Sequence, residues 1–456
     1  MRLRAWGYLG VFGVVAVYFL IWPAWRAQFP LEIWPTEGWN AYYQDMGARW
    51  LSVYPKPDAL IVNNYPPLSF YAIGQLANLF GDALYVGRAL SIVGLLAVAV
   101  EIALAARLLG ASLVWGGVGG LSVIAVMAHN FLNYVGADDP QLAGQAVMGA
   151  ALVWFLARQR AGRSSVGPLL LMVLAGFWKH NMIAIPVTAV LWLLVRDGRK
   201  ALAPVAISGA AALGGLVVCR LVFGPDFLAN LLTPRSYNPA RIIQNVGHLQ
   251  WQAAGVAITA LWAVANRRSD AARFTTLFMA VGLASCLLQW CGDAVFQNAE
   301  YDLVMAVGIG TALALDGAGA TVLARRWSAA QVCDGMVIVL LLRLLLTNRH
   351  EPALVLFSPD FRATFVQAAA VTRQEAARVA ALPGAVSCDN KVLCRMAGKP
   401  FVVDEFKLDQ MLAKGVATPA VIDEMLAARG ISRFAADRRS WAYGVTQVAS
   451  GKATAY

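Results

Sequence analysis

ALYVGRALSIVGLLAVAVEIALAA, residues 83–106, runs for 24 residues with only two charges, Arg88 and Glu101. A helix needs about 20 mostly apolar residues to cross a bilayer. Ten further runs of this kind lie near 6–23, 113–128, 141–157, 165–178, 182–195, 202–222, 249–265, 274–290, 301–323 and 328–347. The whole chain is 59% hydrophobic and 14% charged over 456 residues. That leaves too few polar residues to cover a soluble protein of this size. The expectation is an α-helical polytopic membrane protein with about eleven transmembrane helices.

Orientation follows from the basic residues, which concentrate in loops that stay in the cytoplasm. Arg2 and Arg4, Arg107, Arg158 with Arg160 and Arg163, Arg196 with Arg199 and Lys200, Arg267 with Arg268 and Arg273, and Arg325 with Arg326 fall on alternate gaps. The opposite gaps carry Glu37, Asp45, Asp138, Asp139, Lys179, Asp226, Arg235, Asp293 and Glu300. The N-terminus is therefore expected in the cytoplasm, with the acidic loops outside. The net charge of +11 is accounted for by this anchoring and calls for no nucleic-acid partner. Residues 1–23 are basic and then apolar, like a signal peptide, but no small-residue cleavage site follows, so they read as the first span.

From about residue 349 to 456 the chain reads as a soluble α/β domain, following a transmembrane domain over 1–348. With an odd span count this domain is expected in the periplasm. Strands are expected at Ala385–Cys388, Phe401–Val403 and Ile431–Phe434. Between them Val421–Arg429 suggests an amphipathic helix with Val421, Met425 and Leu426 on one face. Cys388 and Cys394 could pair in an oxidising compartment or stay as two buried thiols, and their spacing leaves both open. No spacing suggests zinc or iron–sulfur ligation.

The first outer loop, about 24–82, is too long for a connector. It contains TEGWNAYY (36–43), read as a surface helix with Trp39, Tyr42 and Tyr43 facing the interface. VNNYPPLSFY (62–71) follows, with two prolines ahead of a second surface helix. A hundred residues later comes GADDP (136–140), just before the span that starts at Gln141. Carboxylates at membrane-helix mouths are costly, and their default reading is functional. Glu37 is the candidate catalytic base. Asp139 suits a helix N-terminus, but capping does not explain two adjacent carboxylates in an outer vestibule. With Glu37, Asp138 and Asp139 could hold a divalent cation, Mg or Mn, or orient a substrate hydroxyl. Lys179 and His180 in FWKHN, and Arg235 in PRSYN, suit a phosphate. Glu300, in QNAEYD, is a candidate for lining the vestibule, as are Tyr42, Tyr43, Asn64 and Tyr65.

The acidic residue followed by Ala-Tyr-Tyr, the Tyr-Pro-Pro-Leu, the Arg88 of GRAL (87–90) and the ADDPQLA segment together resemble the bacterial GT-C glycosyltransferases of the protein-mannosyltransferase-like group, family 39. The resemblance covers about residues 1–310. It implies a GT-C fold, a polyprenyl-phosphate sugar donor and an inverting transfer at the outer face of a bacterial inner membrane. The partners it implies are membrane lipids and a glycan, lipid or protein acceptor. It places Glu37 at the catalytic acidic position, which is frequently Asp in that group, and Asp138 and Asp139 at the second acidic site. Lys179 and Arg235 become donor-phosphate contacts, with His180 and Arg88 as further phosphate candidates. The competing class is a polytopic transporter or lipid flippase. It would place charges near mid-membrane and show repeated halves, whereas here the polar motifs gather on one face.

Overall fold

The protein is described by a computed structural model covering residues 2–347 and 349–450. The last six residues of the expected C-terminal domain, including Tyr456, lie outside the described residues. The chain opens with α1 (Arg2–Arg26), followed by two short helices of the first loop, α2 (Thr36–Ala48) and α3 (Leu68–Phe80). Next come α4 (Ala83–Leu108), α5 (Leu113–Asn130), α6 (Gln141–Arg160), α7 (Val166–Trp178), α8 (Ala184–Asp197) and α9 (Leu202–Phe223). Two short helices, α10 (Asp226–Leu231) and α11 (Ala240–Asn245), occupy the next long loop. The bundle closes with α12 (Ala253–Ala265), α13 (Asp270–Trp290), α14 (Tyr301–Asp316) and α15 (Ala329–Leu345).

The chain is a polytopic α-helical membrane protein, and each expected span falls on one of these helices. Among the described residues, five segments are long and apolar enough to cross a membrane by length and composition alone, including Ala83–Leu108 and Asp270–Trp290. The run expected at 301–323 is shorter as a helix. It stops at Asp316, and 3₁₀ turns at Ala318–Ala320 and Val322–Arg325 take its place. Asp316 there accepts a hydrogen bond from the Ser112 N–H at 2.8 Å. Between apolar helices the driving force is close packing, which small residues allow. α4 packs on both α5 and α6. A Cβ on Gly120 would lie 2.3 Å from the Ala99 carbonyl oxygen, and one on Gly94 would lie 2.6 Å from Leu142 backbone.

The remaining chain forms α16 (Glu351–Phe357), α17 (Pro359–Ala381), β1 (Ala385–Cys388), α18 (Lys391–Met396), α19 (Glu405–Ala413), α20 (Pro419–Ala428), β2 (Ile431–Phe434) and α21 (Ala442–Ala449). β1 and β2 pair in parallel, Ala385 opposite Ile431 and Cys388 opposite Phe434. Phe401–Val403 is irregular rather than a strand. Its apolar side chains are spent elsewhere: Phe401 stacks on Tyr42, with ring centroids 5.1 Å apart. α20 starts two residues earlier than expected, where Thr418 caps it through the Val421 N–H. Its buried face is Ile422 and Leu426, packed with Leu60, Val403 and Leu408, and Val421 is 41% exposed. Cys388 and Cys394 form a disulfide.

This region packs on the bundle. α16 packs on α1, and α18 packs on α2. A Cβ on Gly38 would lie 2.4 Å from the Lys391 Cβ, so only glycine lets the two helices approach so closely. Arg395 bridges Asp45 at 2.7 Å and Asp82 at 2.8 Å. Trp22, Trp25, Phe29, Phe361 and Phe365 form one aromatic cluster across the same junction.

Candidate active site

Glu37 lies in the first turn of α2 and is fully buried. Its Oε1 accepts from Arg88 Nε at 2.8 Å and from the Asp138 N–H at 2.7 Å. Its Oε2 accepts from Arg88 Nη2 at 2.8 Å and from the Ile33 N–H at 2.6 Å. Arg88, from α4, uses its remaining donors on the carbonyls of Ala27, Phe29 and Leu31. A guanidinium offers five donors in a rigid fork, so one side chain can tie a whole loop entry to a helix.

Asp138 is brought into this centre but is not at a solvated vestibule, as its place in the sequence suggests; it is fully buried. Its Oδ1 accepts from Gln44 at 2.8 Å and its carbonyl from Asn40 at 2.7 Å. Burial, with the Glu37 charge beside it, pushes its carboxyl well above the usual carboxylate range. α4 comes so close that a Cβ on Gly87 would sit 1.9 Å from Asp138 Oδ1. Asp139, 6% exposed, accepts from the Gln141 N–H and from Lys179 Nζ, both at 2.7 Å. Burial pulls Lys179 down, but Asp139 and Tyr65 outweigh it and its pKa is raised. The ammonium lies 4.8 Å from the centroid of the Tyr65 ring.

The divalent cation expected on Glu37, Asp138 and Asp139 does not fit this arrangement. The Glu37 oxygens face a guanidinium and two backbone N–H groups, and Asp139 is paired with Lys179. Among the described residues, no group of three or more His, Cys, Asp or Glu could hold a metal ion.

The open space lies next to this centre. A cavity of 490 Å³ is lined by Trp34, Trp39, Asn64 and Tyr65 from the first loop, by Arg235 between α10 and α11, by Arg241 of α11, and by Asp293 and Phe296 beyond α13. Lys391, Asp404, Glu405 and Asp409 complete it from the C-terminal region. Of the residues singled out in the sequence, Asn64, Tyr65 and Arg235 reach it. Glu37, Asp138, Asp139, Arg88, Lys179 and His180 do not line it. Nor does Tyr42, whose hydroxyl donates to the Lys399 carbonyl, or Tyr43, which is buried against Trp39 and Phe70. Glu300 is also fully enclosed, and burial pushes it up to about 8.

Arg241 is paired with Asp293 at 3.0 Å. Arg235 has no carboxylate partner among the described residues and lies over the Phe406 ring, 5.3 Å from its centroid. Asp404 accepts from Trp39 Nε1 at 3.0 Å and caps α19 through the Phe406 N–H at 3.1 Å. Burial pushes its carboxyl up to about 6, against the pull of Lys391. Lys391 itself is ion-paired with Glu405. These C-terminal groups carry a signal in the sequence: VVDEF (402–406) sets two adjacent carboxylates between an apolar run and a helix, the pattern also seen at Asp138 and Asp139.

The same segment that carries Asn64 and Tyr65 lines, two residues beyond Tyr65, an apolar groove of 410 Å³. It is lined by Pro67, Leu68 and Tyr71 of the first loop, Phe177 of α7, and Cys219 and Val222 of α9.

No protein-family model matches the sequence, and no curated protein matches it. Among solved structures, ArnT from Cupriavidus metallidurans bound to undecaprenyl phosphate superposes with a TM-score of 0.55 at 16% identity, covering 92% of this chain and 91% of that one. The same protein in the apo state gives 0.55 at 15% identity, covering 92% and 90%. At such identity the likeness is one of fold, and that fold is GT-C.

Proposed function

We propose that the protein is an inverting glycosyltransferase that moves a sugar from a polyprenyl-phosphate donor to a cell-envelope acceptor. The observation that carries this reading is the pairing of a charged cavity with an apolar groove across Asn64–Leu68. An amphiphile with an isoprenoid tail and a phosphate head matches the two together, and neither alone would call for one. The GT-C fold, shared with a protein solved with undecaprenyl phosphate bound, supports the same class of ligand.

On this reading the isoprenoid lies along Leu68, Tyr71 and Phe177, and the phosphate meets Arg235, the cavity-lining cation without an ion pair among the described residues. A guanidinium suits a phosphate because its parallel N–H groups match two oxygens. Asp404 is the candidate base: it lines the cavity, and a carboxyl near 6 is close to the working pH of a general base. It takes the proton of an acceptor hydroxyl as that oxygen attacks the anomeric carbon from the face opposite the phosphate. The bond from that carbon to the phosphate oxygen breaks, and the polyprenyl phosphate leaves with its charge stabilised by Arg235. Glu37 and Arg88 act one layer back, holding α2 and the loop entry in place. In the cell, the N-terminus would be cytoplasmic and the cavity would open to the periplasmic face of a bacterial inner membrane.

The test is incubation of the purified protein with a panel of radiolabelled polyprenyl-phosphate sugars and envelope acceptors. Release of polyprenyl phosphate with labelled product is expected for at least one sugar. A protein that consumes no donor yet moves labelled lipid between leaflets would instead be a flippase.

A further inference from the structure

A second cavity, of 430 Å³, opens in the C-terminal region. It is lined at the carboxyl ends of the two parallel strands by Ser387 of β1, by Asp389 just beyond β1, and by Arg433 and Phe434 of β2. Ligands of α/β units bind outside the carboxyl ends of parallel strands. α19 and α20 form its walls through Glu405, Asp409, Ile422 and Asp423. Glu405 and Asp409 also line the 490 Å³ cavity, so the first turns of α19 separate the two spaces.

The lining has a definite chemistry. The Asp389 side chain is fixed because its Oδ1 accepts the N–H groups of Asn390 at 2.7 Å and Ala436 at 2.9 Å. Four carboxylates face one guanidinium, and that one, Arg433, is paired with Asp423 at 3.1 Å. Burial, and then the charges of Asp293 and Glu405, raise the Asp409 carboxyl. Phe434, Val403 and Ile422 supply an apolar surface beside these acceptors.

We propose that this cavity is an acceptor subsite that takes a sugar ring of a neutral or amine-bearing glycan, a step that rests on the glycosyltransferase reading above. Sugar hydroxyls are donors that carboxylates accept, and the apolar face of a pyranose packs on an aromatic ring. Acidic glycans and phosphorylated headgroups are repelled by the same carboxylates. A ring seated here presents the next hydroxyl across Glu405 and Asp409 toward the cavity that contains Arg235.

The full chain, reconstituted in lipid nanodiscs, is titrated with three probes: maltotriose, the trisaccharide of glucosamine, and trigalacturonate. Saturation transfer and calorimetry report binding. The neutral and amino trisaccharides should bind and the acidic one should not. Phe434→Ala and Asp389→Asn should each weaken binding by about tenfold, the value of one charge-assisted hydrogen bond or ring contact. Asp423→Asn, on an exposed side chain, should weaken the amino trisaccharide most and keeps the test open if Phe434→Ala fails to fold. Arg235→Ala should leave all three titrations unchanged. The proposal is overturned if no trisaccharide binds, if trigalacturonate binds as well as the others, or if the variants titrate like the wild type. Donor consumption is measured on the same samples. Donor turnover without glycan binding would reject the subsite and leave the transferase reading in place, whereas glycan binding without donor turnover would do the reverse.

Discussion

Glu37, Asp138 and Asp139 are 0%, 0% and 6% exposed, whereas the Glu405 side chain keeps 41% and Asp409 stands open beside it. α2 connects the two groups: it carries Glu37, and its Trp39 donates to Asp404, the neighbour of Glu405. The first group spends its oxygens on Arg88, Lys179, Gln44 and backbone N–H groups; the second lines two cavities. Carboxylates beside apolar spans can thus be costly for two reasons that the sequence does not separate. They can be kept for chemistry, or kept because a loop entry needs a buried anchor. Asp404 sits at the border of the two groups, buried like the first and lining a cavity like the second.

The largest effect should come from breaking the anchor. Arg88→Ala leaves Glu37 as an uncompensated buried charge, and losing one partner of such a pair costs about 3–5 kcal/mol. Thermal unfolding in detergent should show it, with poor expression beside it. Glu37→Gln should also destabilise the fold, and what activity remains should track the folded fraction. Full stability with abolished transfer in Glu37→Gln would return the base to that residue and erase the contrast between the two groups.

Next in size is Asp404→Asn, expected to lower kcat by about 10² or more while the fold holds. Its pH dependence has a definite sign. The folded carboxyl, near 6, lies above its ordinary value of about 3.9. Folded protein therefore keeps a proton that unfolded protein has lost between about pH 4 and 6. The stability from neutral Asp404 is fully present below that range and is lost as pH rises through about 6. Activity should run the other way, rising through the same range as the base ionises. Asp404→Asn should flatten both profiles, and an unchanged rate profile would remove Asp404 from the chemistry.

Arg235→Ala should weaken donor binding by about 10- to 150-fold, from a charge-assisted contact of about 1.5–3 kcal/mol, with acceptor binding unaffected. Arg235→Lys should be harmful too, because an ammonium lacks the fork. Wild-type donor titrations in both variants would mean that the phosphate sits elsewhere, with Arg241 or Lys391 the next groups to test. The smallest effect belongs to the Cys388–Cys394 bridge. It closes a short loop, and reducing it should lower stability by about 2 kcal/mol. Because Lys391 lies inside that loop and lines the cavity, donor affinity should fall by a smaller factor in the Cys388→Ser, Cys394→Ser double variant. Unaltered affinity would show that α2 alone positions Lys391.

Much of the architecture was legible because membrane spans are written as composition. A run such as residues 83–106 has no stable alternative to a helix in lipid, where every backbone polar group must be satisfied within the segment. The first-loop helices and both strands were legible for a similar local reason, since prolines and apolar periodicity act over a few residues. The position of α20's buried face was not, because packing on Leu60, Val403 and Leu408 selects Ile422 and Leu426 and leaves Val421 outside.

The site divides along the same line. Local sequence determined which residues carry charge at the helix ends, and it named Asn64, Tyr65 and Arg235, which do reach the cavity. Only the tertiary structure decided which charges are paired. Glu37 meets Arg88 across 51 positions, and Trp39 meets Asp404 across 365. A carboxylate's role depends on whether a partner donor or a cavity faces it. That partner comes from a distant part of the chain, placed by packing such as the close approach of Gly38 to Lys391. Sequence position supplies the charge, and the fold alone supplies its neighbour.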